Sequence, residues 1–141
     1  MSFSMYFYRR VICSFTTLLL LTVGPAYAEW VKFVSFTDQG SYSVYVDLDT
    51  IRRKGELVKM WVLFDFDTQR VTLPRRVYLS MQSLEQFDCA EERSRMLAFT
   101  NFAGNMGTGD VVYSNTVEGK WQPLPPESIG KGLWELAWNM E

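Results

Sequence analysis

The chain contains no histidine. A serine or cysteine nucleophile therefore lacks its usual base, and the commonest metal ligand is missing, which weighs against hydrolase and zinc-enzyme chemistry. Cysteine is nearly as scarce, with only Cys13 and Cys89. Cys13 falls in a segment read below as removed, so Cys89 has no partner for an intramolecular disulfide. It is expected to be a free thiol, either buried as a small apolar side chain or bonded to another chain. After Ala28 there is no long apolar run, internal repeat, Gly/Ser linker or low-complexity tract. A membrane-spanning segment is not expected there, and the composition fits a soluble, compact protein.

The first 28 residues have a different character. Arg9 and Arg10 precede an apolar run from Val11 to Val23, Gly24 and Pro25 break it, and Ala26-Tyr27-Ala28 supplies a small-x-small cleavage pattern. Residues 1–28 are read as a cleavable export signal, cut after Ala28, because the run is shorter than the roughly 20 apolar residues needed to span a bilayer. Cys13 stands at the beginning of the run, not at its end, where a lipid-acceptor cysteine would be needed. The remaining residues 29–141 suit a single domain with one hydrophobic core. The signal takes two of the 14 basic residues and none of the 16 acidic ones, which leaves a mature charge of −4. An acidic balance argues against general affinity for nucleic acid or anionic lipid.

Periodicity then points to strands. Trp30 to Phe36 is an aromatic and β-branched run closed by the turn-formers Thr37-Asp38-Gln39-Gly40. Tyr42, Val44, Val46 and Leu48 alternate with polar residues, as in a half-buried strand. Arg52-Arg53-Lys54-Gly55 reads as a polar connection in which glycine supplies positive φ. Leu57 to Phe66 is the strongest strand: Val58, Met60, Val62, Phe64 and Phe66 make one apolar face, while Trp61 and Leu63 leave the other half apolar. Either another element or a partner is expected to cover that second face. Asp67 to Pro74 reads as a loop, and Val77, Leu79 and Met81 begin another alternating run. Leu84 to Phe102 fits two patterns, a helix through Leu84, Phe87, Ala90, Ser94 and Leu97 or two strands joined at Asp88-Cys89-Ala90-Glu91. A short strand from Val111 to Ser114 follows. The chain closes with an amphipathic helix capped by Ser128, weakened by Gly130 and Gly132.

Few residues look equipped for chemistry. The pairs Asp47/Asp49 and Asp65/Asp67 could hold a cation or act as acid and base, but they lack the glycine-centred loop of a calcium site and equally serve to end strands. Gly107-Thr108-Gly109 is followed by no lysine-serine/threonine pair opening a helix, so it is read as a turn and not a phosphate cradle. No catalytic residue, metal ligand or cofactor is assigned. Arg70, Arg75 and Arg76 cluster around Pro74, with a second basic knot at Arg52, Arg53 and Lys54. Arginines of this kind can pair bidentately with sulfate or carboxylate groups on a partner. Trp61 is the tryptophan whose face is left without a neighbour.

Asp47-Leu48-Asp49-Thr50-Ile51, the Val58 to Phe66 strand with Trp61, Asp88-Cys89, Met106-Gly107-Thr108-Gly109, Trp121 followed by Pro125, and a short C-terminal helix occur here in one order. In that combination the mature chain resembles the surface-adhesin protein E family of Gram-negative bacteria. The resemblance implies an α+β fold, an antiparallel sheet of about six strands with a C-terminal α-helix packed on it, and shifts the reading of Leu84 to Phe102 to strands. It also implies an exported, non-enzymatic binding protein of the periplasm or outer cell surface, whose namesake binds host matrix components. The expected partner is a protein, a host matrix protein among the candidates, or a second copy in a homodimer. The alternative is a periplasmic structural or dimerising protein with no host ligand. Two departures stand out: no acceptor cysteine for a lipid anchor, and Trp138 about where a second cysteine of the family would pair with Cys89.

Overall fold

The structure, a computed structural model, describes residues 28–37, 40–116 and 118–140. Residues 1–27 of the expected export signal lie outside the described residues. The strands are β1 (Trp30–Phe36), β2 (Tyr42–Lys54), β3 (Leu57–Thr72), β4 (Arg76–Asp88), β5 (Arg93–Phe102), β6 (Val111–Asn115) and β7 (Gln122–Pro123). A 3-10 turn at Asn105–Gly107 precedes β6, and the helix α1 (Ile129–Asn139) follows β7. All the strands join one antiparallel sheet in the order β1-β2-β3-β4-β5-β6, with β7 pairing to β5 beyond the end of β6. The fold is α+β and dominated by its sheet.

The period of two in the sequence becomes the core. Val58, Met60 and Val62 are each 0% exposed, and the register sets Val46 against Val62 and Val44 against Phe64. α1 lies over this face and buries Leu133 and Ala137, four residues apart on one side of the helix. Its first turn is capped by Ser128 Oγ, which accepts the Lys131 amide at 3.1 Å. Gly132 has a packing reason inside the helix: a Cβ there would stand 3.0 Å from the Phe33 ring of β1. The side-chain-free surface lets α1 approach the sheet closely and offsets the propensity cost.

Leu84 to Phe102 forms the end of β4, a turn and β5, so of the two patterns the strand reading implied by the family resemblance holds and the helical one does not. Ladder pairs such as Val58 with Phe87 and Lys59 with Gln86 supply backbone partners that a local pattern does not reveal. The helical spacing has an identifiable origin. Leu84 pairs with Ala98 and Glu85 with Met96, so Leu97 is an extra bulge residue that breaks the two-residue alternation. The turn is held by Asp88, whose Oδ1 accepts the amides of Ala90 at 3.1 Å and Glu91 at 3.2 Å.

Two expected loops are also strand. β3 continues through Asp67 to Thr72, since the register jumps from Asp65/Ser80 to Arg70/Tyr78 across a bulge that hides the alternation. Arg52, Arg53 and Lys54 belong to β2 and pair with Lys59, Val58 and Leu57. The turn between β2 and β3 is Gly55 and Glu56, with Gly55 at φ 60.

Candidate functional site

Beyond its bulge the β3–β4 hairpin projects as a two-stranded arm, with Arg70 opposite Tyr78, Val71 opposite Val77 and Thr72 opposite Arg76. Apolar side chains crowd its exposed end: Leu73 is 85% exposed, Val71 63% and Val77 47%. Arg76 Nη1 donates to the Val112 carbonyl at 3.0 Å and so ties the arm to β6, where Val111 is also exposed. The tip is thus an apolar patch, which water solvates poorly, flanked by basic residues.

The three arginines singled out in the sequence reach this arm but do not act alike. Arg70 is half-buried: Nη2 donates to the Gly40 carbonyl at 2.9 Å and the guanidinium lies 5.0 Å from the Phe66 ring centroid. Its role here is to brace the arm. Arg76 is exposed but anchored to β6. Arg75 is exposed in the turn, makes no ion pair or hydrogen bond among the described residues, and adopts φ 30, a left-handed conformation unusual for a residue with a Cβ. It is the arginine available for contact at the tip.

Trp61 lies elsewhere, half-buried on the sheet face away from α1, between Asp47 and Leu84 in the register. That face is partly covered by this chain's own segment 103–110. Asn105 Nδ2 and the Met106 amide donate to Asp65 Oδ1 at 3.1 and 2.7 Å, and the Gly107 amide donates to Ser80 Oγ at 2.9 Å. Gly107 is required by this approach, being at φ 68 where a Cβ would stand 2.3 Å from Gln82 Nε2. The Gly107-Thr108-Gly109 motif is therefore a structural strap.

The aspartate pairs are occupied locally. Asp47, 5% exposed, accepts the Asp49 amide, while Asp65 holds the strap and Asp67 accepts the Ser41 hydroxyl. Asp47 is level with Trp61, four residues along β3 from Asp65 and hence about 13 Å away. The two pairs do not converge into one acid-base or cation site. Cys89 is buried in the core beside Ala137 and forms no disulfide among the described residues. Burial pushes its thiol pKa up, with the Arg53 charge opposing, so the reactive thiolate is disfavoured.

The second basic knot sits at the opposite end of the hairpins. Arg53 Nη2 donates to the carbonyls of Ala137 and Trp138 at 3.2 and 3.0 Å, capping the negative end of α1. Arg52, Lys54, Leu57, Lys59 and Gln86 line a groove of about 410 Å³. Two arrangements escaped sequence reasoning because only strand register creates them. Phe36, Tyr42, Phe66 and Tyr78 form a ladder with successive ring centroids 4.9, 6.0 and 5.8 Å apart. Trp121 receives two guanidinium groups, Arg93 at 4.8 Å and Arg95 at 4.5 Å.

With this geometry in place, the comparison with known families is decisive at one level. The family model described as surface-adhesin protein E matches residues 30–137. The chain belongs to the surface-adhesin protein E family. Solved structures of Haemophilus influenzae protein E share its fold. Crystal form II is 16% identical with a TM-score of 0.57, over 76% of this chain and 94% of that one. The selenomethionine form, also 16% identical, has a TM-score of 0.56 over 78% and 96%. Protein E from a non-typeable strain, again 16% identical, has a TM-score of 0.54 over 80% and 86%. No curated protein matches the chain.

Proposed function

We propose that this member of the surface-adhesin protein E family is exported and serves the bacterial envelope as a non-enzymatic adhesive module, with the tip of the β3–β4 arm as its contact surface for a protein partner. The observation that carries this reading is the exposure of Val71, Leu73 and Val77 beside Arg75. An apolar tip offers area to bury on contact, and an adjacent arginine offers a bidentate partner for a carboxylate. The left-handed Arg75 adds support, since conformational strain persists where surrounding structure or function maintains it. Arg70 and Arg76 hold the arm in position, and Trp61 contributes to the sheet face.

The first test is exposure of the protein to external protease or antibody on intact cells, with a known periplasmic protein as control. Accessibility and binding to an immobilised matrix protein, both measured with Leu73→Ser and Arg75→Glu, support the reading if the variants fold but lose binding. Protection on intact cells removes the surface role.

A periplasmic structural or dimerising role is the second reading, and a specific feature favours it. β1 is an edge strand with Val31 42%, Phe33 36% and Phe36 39% exposed, an apolar template for pairing with a second copy. Light scattering at micromolar concentration tests the dimer, and a monomer removes that part of the reading.

A further inference from the structure

The groove at the β2–β3 end carries a charge arrangement that folding alone disfavours. Arg52 pairs directly with Lys59, and Lys59 with Gln86, which in turn pairs with Arg95. Opposing residues in a ladder share a face, so these four form a row across β2, β3, β4 and β5. Lys54 joins them, two residues beyond Arg52 and opposite Leu57. Like charges directly opposite one another destabilise a sheet.

The cations of this row are compensated at one end only. Arg95 pairs with Glu118 at 3.1 Å, and in the next row Arg93 pairs with Asp88 at 2.9 Å. Among the described residues Arg52, Lys54 and Lys59 have no carboxylate within ion-pair distance. Arg52 is held in place by the carbonyls of Asp49 and Ile51, at 2.7 and 2.8 Å. Three uncompensated cations thus border one groove in a chain whose mature charge is acidic. Leu57 and Gln86 form part of its wall, Gln86 being only 5% exposed with its Oε1 accepting Arg95 Nε at 2.8 Å. Its about 410 Å³ exceeds the volume of a lone sulfate or phosphate.

We propose that this groove binds an anionic sugar bearing sulfate or phosphate esters, with Lys54 and Lys59 meeting the ester oxygens and Arg52 flanking them. The ester charge relieves the Arg52/Lys59 repulsion, and the apolar stems of the lysines and Leu57 face the sugar ring. The shared chemistry has two sources, a sulfated glycan outside the cell or a phosphorylated amino sugar of the cell's own envelope.

The test is isothermal titration of the mature protein with a heparin-derived sulfated disaccharide, glucosamine phosphate and inorganic sulfate. At least one sugar is expected to bind, more weakly as NaCl rises. The variant Lys54→Gln/Lys59→Gln is expected to lose affinity at least tenfold with an unchanged melting temperature, since both lysines are exposed. Preference for the sulfated disaccharide assigns an external source, and preference for glucosamine phosphate an envelope source. Absence of binding by either sugar, retention of affinity within twofold in the double variant, or equal binding of inorganic sulfate overturns the proposal. Leu73→Ser leaves this binding intact, so failure here and failure of the arm as a contact surface are separate results.

Discussion

Replacing Asp88 by asparagine tests the main junction of the fold. Asp88 is 6% exposed and serves three elements at once. Its Oδ1 holds the β4–β5 turn, its Oδ2 accepts Arg93 Nε at 3.0 Å and pairs with Nη2 at 2.9 Å, and its carbonyl accepts Trp134 Nε1 of α1 at 2.9 Å. Asparagine retains an oxygen for the turn amides and the backbone carbonyl for Trp134, but it presents a neutral amide to the guanidinium. Hydrogen bonds to charged groups contribute about 1.5–3 kcal/mol each, and solvent at Arg93, 42% exposed, pulls the pair toward the low end. The expected loss is about 2 kcal/mol, or about 8 °C in Tm at about 4 °C per kcal/mol for a domain of this size. Urea unfolding at pH 7 measures it, with the exposed Asp49→Asn as a control expected within about 0.5 kcal/mol of wild type. A loss at Asp88 no larger than the control's would refute the reasoning that this carboxylate joins the turn to β5.

Other outcomes follow from the same contacts. Trp134→Phe removes one hydrogen bond between α1 and the β4–β5 turn and is expected to cost about 1 kcal/mol, read by the same unfolding curves. Glu85 is half-buried on the helix-covered face, lining a recess with Phe64, Phe87 and Leu133, and desolvation there raises its pKa above the ordinary 4.5, with the nearby Ser83 hydroxyl opposing. The folded state therefore holds this proton more tightly, and stability falls as pH rises from about the unfolded value through the folded one. Glu85→Gln should raise Tm at pH 7 and flatten that slope, whereas an unchanged pH profile counts against a desolvated carboxylate. Arg75→Gly relieves the left-handed turn and should stabilise the fold by about 1 kcal/mol while weakening partner binding, a split that a purely structural arm would not show. Gly107→Ala should destabilise by about 1–2 kcal/mol through its positive φ and loosen the strap, which hydrogen exchange of the Met106 and Gly107 amides would report.

The hairpin of β2 and β3 and the C-terminal helix were legible in the chain itself. Alternation at Val44, Val46, Val58, Met60 and Val62 predicts which face is buried whatever the neighbouring strand is, because the period of two is a property of the backbone. The Ser128 cap and the apolar spacing of Ile129, Leu133 and Leu136 are likewise local, while the burial of Ala137 came only with the packing. The absence of histidine weighs against hydrolase and zinc-enzyme chemistry without reference to any fold.

Register is not local, and the segments that local pattern left open or misread lie where register slips. The bulge at Leu97 gave strands a helical spacing, and the bulge after Asp65 made an arm look like a loop. In both, the extra residues are accommodated by ladder bonds to a neighbouring strand, an energy that no window of sequence contains. The same pairing sorted the arginine cluster into two braces and one exposed side chain without a bond among the described residues, and set Arg52 against Lys59 across two strands. Composition determined that this protein has cations to present in an acidic chain. Only the tertiary structure decided which are neutralised and which stand unpaired, because an ion pair depends on distance in space while the sequence records distance along the chain.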